Sequence, residues 1–159
     1  MDLRFFIALI LSFLPVSELR GGLPLAIVYA KAYGIPVFLT FSSVVLVNIL
    51  AVFIAFYFLD NIHLKLMKIK LYNRFFEKYM KKIRKKTDKF EEKYNALGFL
   101  ALAVFVGIPL PGTGAWTGVL ISWLLDLNRK KSIIVISIGV LMAGIIVLLA
   151  TLGIIRIFS

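Results

Sequence analysis

Ser17-Glu18-Leu19-Arg20-Gly21-Gly22-Leu23-Pro24 sets an acid, a guanidinium, two glycines and a proline inside sequence otherwise apolar enough for a membrane interior. Phe5 to Val16 in front and Leu23 to Tyr33 behind are each about a dozen residues long, and at 1.5 Å per residue neither half crosses a hydrocarbon core of about 30 Å. As one continuous span, the segment would hold Glu18 and Arg20 near mid-bilayer at about 2.5–3.5 kcal/mol apiece, on a helix weakened by its glycines and proline. A hairpin that dips in and turns back puts the same groups on irregular backbone, tolerated at depth only where protein or a watery cavity surrounds it. The sequence therefore predicts a re-entrant hairpin with a polar tip.

Composition agrees. The 159 residues are 61% hydrophobic with a mean hydropathy of +0.97, far from the soluble average and right for an all-α integral membrane protein. Cysteine is absent, which removes disulfides, iron-sulfur clusters and thiol catalysis. The first apolar run has no small-residue cleavage site before Glu18, so no removable signal peptide is expected. The net charge of +11 would raise nucleic acid in a soluble chain. Here 12 of the 19 cations lie between Lys65 and Lys93 and three more are Arg129, Lys130 and Lys131, a topology signal rather than a nucleic-acid surface.

Beyond the first break, Val37 to Leu59 is long enough to span, about 35 Å as helix. Residues 61–95 are basic, with Leu64, Met67, Leu71, Phe75, Tyr79, Ile83, Phe90 and Tyr94 spaced mostly three or four apart. That pattern predicts a Lys-rich amphipathic helix at the headgroups, partnered by anionic lipid. Ala96 to Leu125 is again apolar and interrupted, by Gly107-Ile108-Pro109-Leu110-Pro111-Gly112-Thr113-Gly114, which cannot be continuous helix. A second re-entrant hairpin follows, then a charged loop over Asp126 to Lys131 and a second span from Ile133 to Ile155.

Adding 94 to each number of the first half places Pro15 on Pro109 and the first break on the second without a gap. One domain over 1–159 is expected, as repeat one (1–60), the basic linker (61–95) and repeat two (96–159). With both breaks as hairpins, the basic segments 61–95 and 126–131 share the cytoplasmic side of a cell membrane and the repeats are inverted. Their tips then meet near the midplane. Four continuous spans are the structural alternative.

Each tip frees backbone amides at the start of a half-helix, where the macrodipole favours an anion. Gly21, Gly22, Gly112, Thr113 and Gly114 bring backbone close to a ligand, Pro24, Pro109 and Pro111 shape the bends, and Arg20 adds a fork suited to phosphate or carboxylate. Glu18 is either the ion-pair partner of Arg20 or a carboxylate that exchanges protons during transport. Trp116 borders the site or packs. Asn48 and Ser43 face a cavity or bond between helices. No metal, cofactor or catalytic constellation is indicated.

Ser17 to Pro24, together with Pro109-Leu110-Pro111-Gly112-Thr113-Gly114-Ala115-Trp116-Thr117-Gly118, closely resembles the small multidrug export protein family, over essentially the whole chain. That family looks like a relative of the DedA membrane proteins, which the resemblance associates with two facing re-entrant hairpins and with movement of lipid phosphates. Carried over by motif, Glu18 takes the place of the first-hairpin acid and Pro109 to Gly114 that of the second-hairpin turn. Gly107, Thr113 and Gly114 stand where DedA hairpins carry arginines. The resemblance implies a membrane transporter and not an enzyme, and the charges favour an anionic, phosphate- or carboxylate-bearing substrate moved with protons. Proton-coupled efflux of toxic cations through Glu18, and a membrane scaffold binding lipid or protein through its basic linker, remain open. The apolar surface predicts a homodimer.

Overall fold

The computed structural model describes residues 3–66 and 93–158. Among these the chain forms six helices: α1 (Leu3–Phe13), α2 (Glu18–Ala32), α3 (Val37–Leu66), α4 (Lys93–Gly107), α5 (Ala115–Leu124) and α6 (Arg129–Phe158). The amphipathic linker helix expected over 61–95 falls largely on residues 67–92, outside the described residues; its two ends continue α3 and α4.

Proline sets the first break. Pro15 has no N–H for the Leu11 carbonyl, and the Ser17 hydroxyl donates to that oxygen instead, at 2.5 Å. Helical bonding resumes at once: Glu18 N–H reaches the Leu14 carbonyl at 2.9 Å and Gly21 N–H the Ser17 carbonyl at 3.1 Å. The break is thus Leu14 to Ser17, and not Ser17 to Pro24 as the sequence reading has it. Arg20, Gly21, Gly22 and Pro24 all lie inside α2. Two helical glycines cost about 1 kcal/mol each, and packing offsets them.

That packing is a tight reversal. A Cβ at Gly22 would stand 1.8 Å from Ser12 Oγ and 2.4 Å from the Ala8 carbonyl oxygen, while the Phe5 and Tyr29 rings lie 5.8 Å apart. Residues this distant in sequence meet only if α1 and α2 run antiparallel, side by side. Leu19, Leu23, Ala26, Ile27 and Ala30 form the buried stripe of α2, spaced three and four apart as a single helical face requires.

The second break is built differently. Leu110-Pro111-Gly112-Thr113 closes with Thr113 N–H on the Leu110 carbonyl at 3.1 Å. Gly112 has φ +84, so proline and glycine take the two central places that a type II turn asks of them. Past it α4 and α5 part company: α4 lies against α6, and α5 chiefly against α3. Gly139 lets α4 in, since a Cβ there would be 2.7 Å from Val106 Cβ and 2.8 Å from the Ala103 carbonyl oxygen.

The first span starts at Val37 as expected and runs past Leu59, and the second starts before Ile133 and ends past Ile155. Asn61 does not stop α3, because its side chain donates to the Tyr57 carbonyl at 2.8 Å. Asn128 caps α6, accepting Lys131 N–H at 3.2 Å, which makes Arg129 to Lys131 helix and leaves only 125–128 as loop. Val37–Asn61 and Arg129–Ile157 are long and apolar enough to cross a membrane. Phe38, Leu46, Leu50, Phe53, Ile134, Ile138, Ile145 and Leu149 all face outward, far more exposed apolar surface than a soluble monomer carries.

Replacing Gly22 by Ala should lower stability by about 1–3 kcal/mol, because carbonyl and hydroxyl occupy the space. Gly153→Ala, where nothing lies within 4 Å of the added carbon, should be neutral or stabilising by up to about 1 kcal/mol. Thermal unfolding of the two variants in detergent measures the contrast.

Candidate functional site: facing amino ends of α2 and α5

Glu18 opens α2 with φ +47 and is 6% exposed. A left-handed conformation at a residue other than glycine costs on the order of 1–3 kcal/mol and persists only where surroundings enforce it. Here the surroundings are the start of α5. Glu18 Oε1 accepts the Trp116 N–H at 3.1 Å, one of the amides that no helical carbonyl serves. A carboxylate at that end gains about 0.3–2 kcal/mol from the helix macrodipole.

The backbone comes close enough for this only because Gly114 precedes α5. A Cβ there would stand 1.7 Å from Glu18 Oε2, and its φ of +152 is itself a glycine conformation. Arg20 completes the group. Its Nη2 lies 3.9 Å from Glu18 Oε2 and donates to Thr113 Oγ1 at 2.9 Å; the Thr113 hydroxyl in turn donates to the Ile108 carbonyl at 2.6 Å. Arg20 stands within the first turn of α2 and not on extended backbone, and the two side chains nevertheless converge.

The end of α1 is finished by side chains from other helices. Asn48, on α3, donates to the Ser12 carbonyl at 2.7 Å, and Trp116 Nε1 donates to the Phe13 carbonyl at 2.9 Å. The Phe13 and Trp116 rings meet edge to face, centroids 6.1 Å apart. Carbonyls that the break orphans at depth are thereby satisfied within the protein. Of the two uses the sequence left open, Asn48 makes the bond between helices, whereas the Ser43 hydroxyl donates to the Leu39 carbonyl of its own helix at 2.8 Å.

The remaining candidates have distinct places. Gly22 faces α1, and a Cβ at Gly21 would lie 2.9 Å from the Ser17 Cβ. Pro111 and Gly112 are exposed at the turn and shape it. Pro24 and Pro109 line, with Arg20, Val28, Ile146 and Thr151, a cavity of about 430 Å³. Glu18, Arg20, Asn48 and Gly114 border a much smaller one of about 10 Å³, the size of a single water. The apolar α6 wall of the larger cavity carried no signal in the sequence.

At the opposite end of the long helices, Asp60 accepts from Trp123 Nε1 at 3.1 Å and pairs with Arg129, whose guanidinium lies 5.1 Å over the Phe56 ring. This cluster ties α3, α5 and α6 together and brings the start of the basic segment to the same end as Arg129, Lys130 and Lys131.

A buried acid and a half-buried guanidinium at two facing helix ends, inside a shell of outward apolar side chains, define a helical membrane protein with an internal polar site. Residues 18–146 match the family model described as "Putative small multi-drug export protein". The chain belongs to that family, which is named for export and not for a reaction. Neither a curated protein nor a solved structure matches it.

Gly114→Ala should lower the melting temperature by driving the added carbon into the Glu18 carboxylate. Glu18→Ala in the same chain should recover part of that loss, so the two changes are less than additive in a double-mutant cycle. Additive losses would mean that Gly114 is required for its backbone conformation alone.

Proposed function

We propose that the chain is a secondary transporter in which an anionic group of the substrate takes the place of the Glu18 carboxylate at the amino end of α5. The observation that carries this reading is the contact of Glu18 Oε1 with the Trp116 amide, beside Arg20. The seat suits an anion, and its occupant is a side chain that can leave it.

Protonation removes the charge that matches Arg20 and weakens the hold of the carboxyl group on the α5 amide. A phosphate or carboxylate then finds the Trp116 amide and a guanidinium fork at one place. When the substrate leaves, Glu18 loses its proton and returns. Proton and anion thus occupy the site together, which couples their movement. The family name points to drug efflux, and the site bears on the kind of drug: Glu18 is already matched by Arg20 and an amide, so a cation meets no free carboxylate.

In the membrane, we place the α1–α2 turn entering from outside and the α4–α5 turn from the cytoplasm, with 61–95 and 126–131 cytoplasmic. The helix ends support a duplication: α1 ends at Phe13 and α4 at Gly107, and the offset of 94 also carries the start of α3 to within two residues of the start of α6. Paired hairpins of this kind are what the likeness to DedA proteins implies. The outward apolar residues at both turns, Leu14, Val16, Ile108 and Leu110, suit lipid or a second copy of the chain.

In vesicles holding a pH gradient, transport of organic phosphates or carboxylates should fall about ten- to a hundredfold in Arg20→Ala, the loss expected for one charged hydrogen bond. Glu18→Gln should abolish the dependence on the gradient. Transport of a cationic dye that is lost in Glu18→Gln and untouched by Arg20→Ala would replace this reading with cation efflux.

For the topology, single cysteines at Lys31 and Lys130 should react with an impermeant maleimide from opposite faces of the membrane. Reaction from one face would mean four continuous crossings.

A further inference from the structure

An acid and a guanidinium that share the start of one helix, both largely sheltered from water, have a short way to close on each other. Charge-assisted N–H···O bonds of that kind settle at about 2.7–2.9 Å, and a guanidinium fork often makes two of them. Here Arg20 Nη2 stops 3.9 Å from Glu18 Oε2, beyond hydrogen-bond reach. The same nitrogen makes its bond to Thr113 Oγ1, at 2.9 Å. A neutral hydroxyl thus holds the cation more closely than the carboxylate does.

That hydroxyl is itself immobilised. It has one proton to donate and two lone pairs to accept with, and Thr113 uses all three. Its proton goes to the Ile108 carbonyl at 2.6 Å, with the Leu110 carbonyl next at 2.9 Å, and it accepts the Leu110 N–H at 3.2 Å as well as Arg20. All of these partners except Arg20 are backbone of the second break, so the oxygen follows that break and not α2. Glu18 is held from the other side by the Trp116 N–H, 3.1 Å from Oε1. Around the small pocket where the two side chains meet, α3 presents Asn48, α4 Val106, α5 Ala115, and α6 Val140 and Ala143. Glu18 and Arg20 are the only ionisable groups among the described residues that line it.

Distance separates two effects. Coulomb attraction falls only as the inverse of distance and loses roughly 30% between about 2.8 Å and the observed 3.9 Å, whereas the hydrogen bond is gone by about 3.6 Å. Glu18 is therefore stabilised by the charge of Arg20 without being bonded to it. A carboxylate gripped by a fork must break those bonds before it takes a proton or swings aside. One kept at a distance need not.

We infer that Thr113 is a positioning residue whose hydroxyl keeps Arg20 from closing on Glu18, and that this spacing leaves the Glu18 carboxyl able to take up and release its proton. The inference rests on the transport reading for the use made of that proton, and adds to it the group that stops the pair from locking. Without the hydroxyl, the guanidinium moves about 1 Å and bonds the carboxylate.

Dicyclohexylcarbodiimide adds to a protonated carboxyl group and is retained as an N-acylurea. Peptide mass spectrometry of the full-length protein in nanodiscs then reads Glu18 directly, with Glu18→Gln as the blank. At the pH where the wild type is half labelled in a fixed time, Thr113→Val should cut labelling of Glu18 about tenfold or more, as expected when a charged hydrogen bond forms on the carboxylate. Thr113→Ser, which keeps the hydroxyl, should label like the wild type. Arg20→Ala added to Thr113→Val should restore labelling to the wild-type level or above, a recovery that damage to the turn cannot give. Thr113→Ala serves if the valine variant does not fold.

Labelling unchanged in Thr113→Val and Thr113→Ala would mean that the backbone of α2 alone sets the spacing, and would overturn the inference. So would a loss that Arg20→Ala does not restore. Labelling needs no transport, which keeps the two readings apart. Gradient-driven anion transport by the wild type, with labelling indifferent to Thr113, sinks the positioning role alone. The expected labelling pattern in a protein that carries no anion sinks the transport reading alone.

Discussion

The carboxylate of Glu18 against the Trp116 amide is the constraint from which the rest of the structure follows. A charge that is 6% exposed must be matched, since stripping one partner from a buried ion pair costs about 3–5 kcal/mol. Matching it draws the start of α2, the start of α5 and the second turn to one point. Gly114 has to be glycine for the oxygen to fit, and Thr113 has to stand where Arg20 reaches it. Asn48 and Trp116 then serve the carbonyls of α1 that the convergence exposes. Each is a local answer to one demand: polar groups held within an apolar shell need partners from within the protein.

The two ends of the long helices are treated unequally. At one, Asp60, Trp123 and Arg129 join three helices through an acid, an indole and a guanidinium. At the other, Lys31 and Arg156 border an open cavity. One end is therefore cross-linked by charge between α3, α5 and α6, while at the other α2 and the end of α6 leave an open cavity between two cations.

Much of this was legible in the residues. Two prolines and three glycines between Gly107 and Gly114 announce a turn whatever surrounds them, and the apolar runs of α3 and α6 declare their length. The start of α2 was not legible, because the local penalties of Gly21, Gly22 and Pro24 are outweighed by a contact with Ala8 and Ser12 that only the folded chain contains. Asn128 was overlooked as a cap because the charges beside it read as loop. The sequence reading put an anionic ligand at the amino end of α5, but linear sequence does not say that Glu18 itself sits there. The alliance of α4 with α6 was equally hidden: Leu97 to Val106 is apolar on every side, so no stripe marks a preferred neighbour.

That alliance carries a mechanical implication. With α4 packed mainly on α6 and α5 on α3, the bend at Pro111 and Gly112 joins two helix pairs that also meet directly, α6 lying against both α3 and α5 and pinned to them by Asp60. A slide of α6 along α3 would be delivered to this short joint, and Thr113, one residue beyond it, is the group that steadies Arg20. The hinge and the charge it governs are neighbours in the chain, so displacement of one block is felt at the guanidinium without any relay through the core.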